Sequence, residues 1–162
     1  MNTTLSYEQF LKAAKEFAII SSKLCDGWKL IGEDSSQAYL IKETFIDTEN
    51  KYDMLKAQYV IFYNISYGVP SFSFNLWNSS GMLLKLSELR DMSCLRINEK
   101  DFYSVITQQE HPLLHKPYFI MHPCHTDSLL AAFKDKSNNI IVTFLGLITP
   151  LIKLDLPVEY GL

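Results

Sequence analysis

The feature that most constrains the fold is a long run of strand-forming residues between positions 54 and 77. Its first part, MLKAQYVIFYNISY, is rich in β-branched and aromatic residues, which favour extended backbone. Gly68 and Pro70 interrupt the run, and SFSFNLW then alternates Phe72 and Phe74 with polar residues, the period of a half-buried strand. The two segments predict a pair of strands at the centre of a sheet.

The residues before this pair predict a helix followed by two shorter strands. Ser6 and Gln9 have the spacing of a capping box and precede apolar residues at helical spacing. Strand patterns follow at 28–31 and 38–45, separated by turn-forming residues. A polar loop at 47–53 then leads into the central run, so the first half of the chain predicts a helix and a four-strand antiparallel meander.

The second half predicts short helices around an irregular segment. KLSELRDM, with Ser87 as its cap, and DFYSVITQQ are expected to be short helical pieces, and YFIM a strand. Thr126 or Asp127 would cap a helix through Phe133, and Ile140 to Leu147 would form a buried closing helix ended by Pro150. We therefore expect one α+β domain over residues 1–162, a length that suits a single core.

Composition excludes several classes of function. With a net charge of −3 and 20% charged residues, the chain has no basic field for nucleic acid. The longest apolar segment, 140–152, is too short to span a bilayer and contains a proline. The first residues lack the pattern of a signal peptide, and the three cysteines, Cys25, Cys94 and Cys124, are odd in number. We expect a cytoplasmic protein with free thiols, no membrane span and no nucleic-acid partner.

The stretch PYFIMHPCHTDSLL places Cys124 between Pro123 and a predicted helix start, with His122 and His125 on either side. Unpaired amides at a helix start and protonated histidines both favour the thiolate, the species that attacks acyl groups. An acyl carrier is one interpretation. A buried cysteine that only fills space in the core is the other, because free cysteine is among the most buried residue types.

Two further interpretations of this stretch are weaker. His111, His115, His122, Cys124 and His125 are all of zinc-ligand type, but a single thiolate among prolines does not match the paired spacing of structural zinc sites. A cysteine hydrolase would need a histidine partner, which usually comes from a distant part of the chain. We therefore expect no metal and no other cofactor.

The run ITQQEHPLLHKPYFIMHPCHTDSL resembles the autophagy-related protein 10 family of ubiquitin-conjugating-like enzymes. The segments ISYGVPSFSFNLW and ITPLIKLDLPVEY extend the resemblance over roughly residues 59 to 160. It implies a ubiquitin-conjugating-like fold with an N-terminal helix on a four-stranded antiparallel sheet and C-terminal helices. It also implies that Cys124 accepts the ubiquitin-like modifier autophagy protein 12 as a thioester from the activating enzyme, autophagy protein 7. Transfer to a lysine of autophagy protein 5 would follow.

The resemblance also implies roles around the cysteine. His122 and Pro123 belong to the HPC element and would hold its loop. The chain lacks the asparagine that ubiquitin-conjugating enzymes carry before their cysteine, so another group must stabilise the oxyanion. Asn64 and Tyr67, placed on the central strand, are candidates by chemistry, and the alternative is that they are only polar residues on the sheet.

Large side chains of the central hairpin are candidates for binding the acceptor protein. Phe72, Phe74 and Trp77 can provide an apolar contact surface, or they can belong to the core. A rival hypothesis for the whole chain is a noncatalytic module of the same fold that binds a ubiquitin-like protein. The intact HPC element favours the enzyme.

Overall fold

A computed structural model of the chain describes residues 4–47, 54–90, 102–123, 138–149 and 157–161. The helices are α1 (Tyr7–Leu24), α2 (Leu86–Arg90), α3 (Phe102–Val105) and α4 (Ile140–Ile148), followed by a 3₁₀ turn at Val158–Gly161. The strands are β1 (Lys29–Ile31), β2 (Tyr39–Asp47), β3 (Met54–Asn64), β4 (Val69–Trp77), β5 (Ile106–Glu110) and β6 (Pro117–Met121). These strands form one antiparallel sheet in the order β1-β2-β3-β4-β6-β5. The predicted α+β class is confirmed, and β6 and β5 extend the expected four-strand meander to six strands.

Helix α1 begins at the predicted capping box. The Ser6 hydroxyl oxygen accepts from the Gln9 amide at 3.1 Å, and Gln9 Oε1 accepts from the Ser6 amide at 2.9 Å. The two bonds satisfy amide groups that a helix start would otherwise leave unpaired. Phe10 and Phe17 are fully buried on the inner face of the helix. Local sequence therefore determines where α1 starts and which face packs on the sheet.

Asn139 links the closing helix to α1. Its side-chain oxygen accepts from the amides of Ile141 and Val142, at the start of α4, and its Nδ2 donates to Ala13 O at 2.9 Å. Apolar residues of α4 then enter the same core as α1, namely Ile141, Phe144, Leu145 and Ile148. The predicted closing helix is confirmed, and Pro150 lies outside the described residues.

The other face of the sheet is covered near its centre, contrary to the expectation of a half-buried β4. Ser73 and Asn75 of that face are buried, at 0% and 4% exposure. The segment between β5 and β6 lies over them, and its Leu113 and Leu114 pack on a second apolar cluster with Val60. Pairing with β6 and this cover bury residues that the alternation in the sequence predicted to face solvent.

The His111 ring forms hydrogen bonds that join the β5–β6 connection to the sheet. Its Nδ1 accepts from the amides of Leu113 and Leu114 at 3.1 and 3.2 Å, so the ring proton is on Nε2. Nε2 donates to the Ser73 hydroxyl at 3.1 Å, which in turn donates to Val60 O at 3.1 Å. Because every polar atom of the ring has a partner, a neutral histidine is stable at this buried position.

Other predictions for single elements were partly wrong. Pro70 lies within β4, before the Ser73 and Phe74 pair that bonds to β6, where a missing amide is better tolerated. Ser87 lies inside α2, and Glu88 instead reaches back to the Lys85 amide at 3.1 Å. DFYSVITQQ divides into α3 and β5, whereas YFIM is a strand as predicted. The helix predicted to end at Phe133 lies outside the described residues.

In the part of the chain that the structure describes, no helix is both long and apolar enough to cross a membrane.

The buried state of His111 predicts a stability that falls with acid. Burial, with a smaller effect of His115, lowers the pKa of His111 from 6.5 to about 4. Between these values the unfolded chain binds more protons than the folded one. The contribution of His111 to the free energy of unfolding is therefore fully present above pH 6.5 and decreases as the pH falls toward 4. At pH 5 the loss from this group is about 2 kcal/mol. Urea unfolding at pH 7 and pH 5 measures it.

The matched variant is His111→Gln, which does not titrate in this range. We expect it to be less stable than the parent at pH 7 but to lose less stability between pH 7 and pH 5, since both proteins share their carboxylates. An equal loss in the two proteins would contradict the role given to His111.

Candidate functional site

The last residues of β6 lead directly into the HPC element. The His122 amide donates to Val105 O at 2.7 Å, which ties the end of the strand to the last residue of α3. Pro123 follows His122, and Cys124 is next in the sequence. Cys124, His125 and Cys94 lie outside the described residues. The structure therefore describes the residues directly before the predicted nucleophile, namely β6, His122 and Pro123.

The turn between β3 and β4 carries both predicted donors. Asn64 is the last residue of β3, whereas Tyr67 lies in the turn and not on the strand where it was predicted. Asn64 Oδ1 accepts from the Tyr67 amide at 3.1 Å, and Asn64 O accepts from the Gly68 amide at 2.8 Å. Gly68 has φ +64°, which a residue without Cβ adopts readily. Asn64 thus closes the turn through its two oxygen atoms, and its side-chain Nδ2 is the atom that can donate a hydrogen bond to a substrate oxygen.

This turn reaches the HPC element. The rings of Tyr67 and His122 contact each other edge to face, with centroids 5.9 Å apart and planes at 76°. Tyr67 is 39% exposed, so the residue is partly accessible to solvent. Residues separated by more than fifty positions are brought together, and one of them is two residues before Cys124 in the chain.

The arrangement provides hydrogen-bond donors without a fixed charge. The Tyr67 hydroxyl and the Asn64 amide can each donate to an oxyanion, and a well-placed donor contributes about 3 kcal/mol to lowering the barrier. Both groups lie at the same end of the β3–β4 hairpin, and donors that are already in place need little reorganisation when negative charge develops. The chemistry best served is attack at an acyl carbon.

The acceptor-binding candidates separate into two environments. Phe72 and Phe74 lie in the core, at 1% and 2% exposure. Their side chains are therefore core residues and offer no surface for a partner to contact. Trp77 is half-buried and borders an open hollow of about 410 Å³ together with Phe45 and Lys56. The Lys56 ammonium is 5.5 Å from the centre of the Trp77 ring. Only Trp77 of the three can meet a partner.

Trp77 is at the opposite end of β4 from the Tyr67 turn. The strand runs from Val69 to Trp77, and at 3.3 Å per residue this corresponds to about 26 Å. A partner held at Trp77 would therefore touch the protein far from the HPC element.

Two of the described histidines, His111 and His122, lie in different surroundings. His111 is buried beneath the β5–β6 connection with both ring nitrogens engaged in hydrogen bonds, whereas His122 follows β6 beside Tyr67. Across the described part of the chain, no group of three His, Cys, Asp or Glu side chains is placed to hold a metal ion. The His111 ring therefore joins the β5–β6 connection to the sheet through hydrogen bonds, and both of its nitrogens are used in them.

Sequence reasoning missed three residues that hold the Tyr67 turn. Leu5 N donates to Gly68 O at 2.6 Å, and the Tyr63 hydroxyl donates to Leu5 O at 2.5 Å. Gly68 was recognised only as a break in the strand pattern. Contacts between the chain start and a turn sixty residues later leave no local sequence signal.

A helix on an antiparallel sheet, with a sheet strand leading into an HPC element, defines a protein of the ubiquitin-conjugating-like class. The family model described as autophagocytosis associated protein, active-site domain, matches residues 8–159. The chain belongs to this family, and the resemblance inferred from the sequence is confirmed.

Three relatives bear the name ubiquitin-like-conjugating enzyme ATG10. The Homo sapiens protein is 30% identical over 125 residues, which are 72% of this chain and 57% of that protein. The Dictyostelium discoideum protein is 30% identical over 63% of this chain and 52% of its own length. The Arabidopsis thaliana protein is 34% identical over 49% of this chain and 36% of its own length. The chain thus spans about half the length of the first two.

Replacing Gly68 with alanine should disrupt the Tyr67 turn. An added Cβ would lie 2.6 Å from Thr4 Cβ, in addition to the strain of a φ of +64°. Gly81→Ala is the matched control, since its φ is +79° and nothing lies within 4 Å of the added Cβ. We expect the control to lose about 1 kcal/mol and Gly68→Ala about twice as much. Equal losses in urea unfolding would show that the contact with Thr4 is not close.

Proposed function

We propose that the chain is a ubiquitin-like-protein conjugating enzyme that carries its modifier as a thioester on Cys124. The Tyr67 ring against His122, two residues before Cys124, is the observation that carries this proposal. Family membership and the name ubiquitin-like-conjugating enzyme, which the three relatives bear, support it. The Tyr67 hydroxyl and the Asn64 amide supply hydrogen-bond donors in and beside the turn that contacts His122.

The proposed reaction has two steps. In the first, the Cys124 thiolate attacks the modifier's thioester on an activating enzyme, and that enzyme's thiolate leaves. In the second, a neutral lysine amine attacks the new thioester, Cys124 leaves as thiolate, and the amine loses a proton as the isopeptide bond forms. Each step passes through a tetrahedral oxyanion. The Tyr67 hydroxyl and the Asn64 amide are the proposed donors to the oxyanion of the second step, while His122 and Pro123 hold the loop.

The proposed partners are those implied by the sequence resemblance. The modifier is autophagy protein 12, the activating enzyme is autophagy protein 7, and the acceptor is autophagy protein 5. We place the reaction in the cytoplasm, where free cysteines remain reduced. Trp77 and the hollow beside it are the proposed contact for the acceptor protein. Orientation of the acceptor lysine would supply much of the rate.

Replacing Cys124 with serine tests the nucleophile. Incubation with activating enzyme, ATP and modifier should give the parent protein an adduct that thiol reagents cleave. The serine variant should give an oxyester that resists them, because an ester of oxygen exchanges poorly with thiols. Gel electrophoresis with and without reductant distinguishes the two adducts.

The control for this experiment is the double variant in which Cys25 and Cys94 are both serine. It should form the reducible adduct as the parent does. Loss of the adduct in the double variant would move the thioester to another cysteine. No adduct in either the parent or Cys124→Ser would favour the noncatalytic binding module.

Tyr67→Phe tests the proposed oxyanion donor. It keeps the ring beside His122 and removes the hydroxyl, so thioester formation should persist while transfer to free lysine slows about a hundredfold. Single-turnover discharge of the preformed thioester measures the rate. Tyr67→Ala, which also removes the ring, should be no faster, and a Phe variant as fast as the parent would rule out the hydroxyl.

A further inference from the structure

Two hydrogen bonds join Leu5, which precedes α1, to the end of β3 and to the turn that follows it. The Leu5 amide donates to Gly68 O at 2.6 Å, and Leu5 O accepts from the Tyr63 hydroxyl at 2.5 Å. The Leu5 amide is therefore bound to the turn after β3, and the Leu5 carbonyl to Tyr63 near the end of β3. Leu5 itself is buried, with 8% of its surface exposed. The beginning of the chain and this turn behave as one structural unit.

Close packing reinforces the two bonds. The Tyr63 ring contacts Tyr7 edge to face at 5.9 Å and Phe10 at 5.8 Å between centroids, which places it against the first turns of α1. On the other side of Leu5, Thr4 occupies the space where a side chain at position 68 would project. The turn can thus shift only if the segment before α1 shifts with it.

The same turn also has contacts that do not involve Leu5. Its Tyr67 is bonded through the backbone to Asn64 Oδ1 and touches His122 through the ring. The bond between Asn64 and Tyr67 lies within the turn, so it shapes the turn without fixing its place relative to β6. The tie to Leu5 supplies an anchor outside the hairpin.

We propose that Tyr63 is a positioning residue for the transfer step: through Leu5 it holds the turn so that Tyr67 stays against His122. The proposal rests on the function proposed above. Tyr63 is assigned no role at the reacting atoms; it acts through Leu5 and the turn. Displacements of about 1 Å at a donor reduce rates strongly, so loss of one anchoring bond should appear in transfer before it appears in stability.

The test compares Tyr63→Phe with Tyr7→Phe. Each removes one phenolic hydroxyl near the start of α1 and keeps the ring. The Tyr7 hydroxyl donates to Ser35 O at 2.7 Å and accepts from the Ala38 amide at 3.0 Å, so it serves a different loop. Any general loss of packing at the start of α1 should therefore affect both variants.

We expect both variants to form the thioester as the parent does. In single-turnover discharge to free lysine, Tyr63→Phe should show a maximal rate about tenfold lower, the equivalent of one hydrogen bond's contribution, with an unchanged half-saturating lysine concentration. Tyr7→Phe should discharge at the parent rate although it loses at least as much thermal stability. Amide NMR signals of residues 64–68 and the His122 ring signals should shift in Tyr63→Phe only.

Three results would overturn the proposal. One is a Tyr63→Phe discharge rate equal to that of the parent. Another is an equal slowing in both variants in proportion to their loss of stability. The third is an altered half-saturating concentration with an unchanged maximal rate. Absence of a thioester on the parent protein would instead overturn the proposed function, and with it the step that Tyr63 is inferred to support.

Discussion

The bond between Leu5 and Gly68 is the interaction on which the arrangement at the HPC element depends. It joins a segment outside the sheet to the turn between the two central strands. The turn then presents Tyr67 to His122, whose own amide is fixed on the last residue of α3. Parts of the chain that are distant in sequence thus meet at one end of the sheet. The nucleophile predicted at position 124 follows this meeting point directly.

The two faces of the sheet are packed differently. One receives α1 and α4 in a continuous apolar core, which gives the strands a rigid support. The other is covered near its centre by the His111 segment and is open near Trp77. Because the Tyr67 turn and the Trp77 hollow are at opposite ends of β4, changes at the two places should act independently.

Elements with strong local signals were predicted well. The capping box of α1 and the apolar run of α4 are patterns contained within a few neighbouring residues, and the structure confirms both helices. The burial of Ser73 and the strand character of β5 were not predicted, because they depend on pairing with β6 and on the cover over that face. Asn64 and Tyr67 were selected by chemistry alone. The contact of Tyr67 with His122 and the anchor of the turn at Leu5 depend on long-range packing that periodicity and composition do not encode.

The most direct test of this account is a nuclear Overhauser measurement between the ring protons of Tyr67 and His122 in the isotope-labelled protein. The contact between Tyr7 and Tyr63 has the same centroid separation, 5.9 Å, and serves as an internal reference. The account predicts cross-peaks of comparable strength for the two pairs. A clear Tyr7–Tyr63 cross-peak with none between Tyr67 and His122 would contradict it.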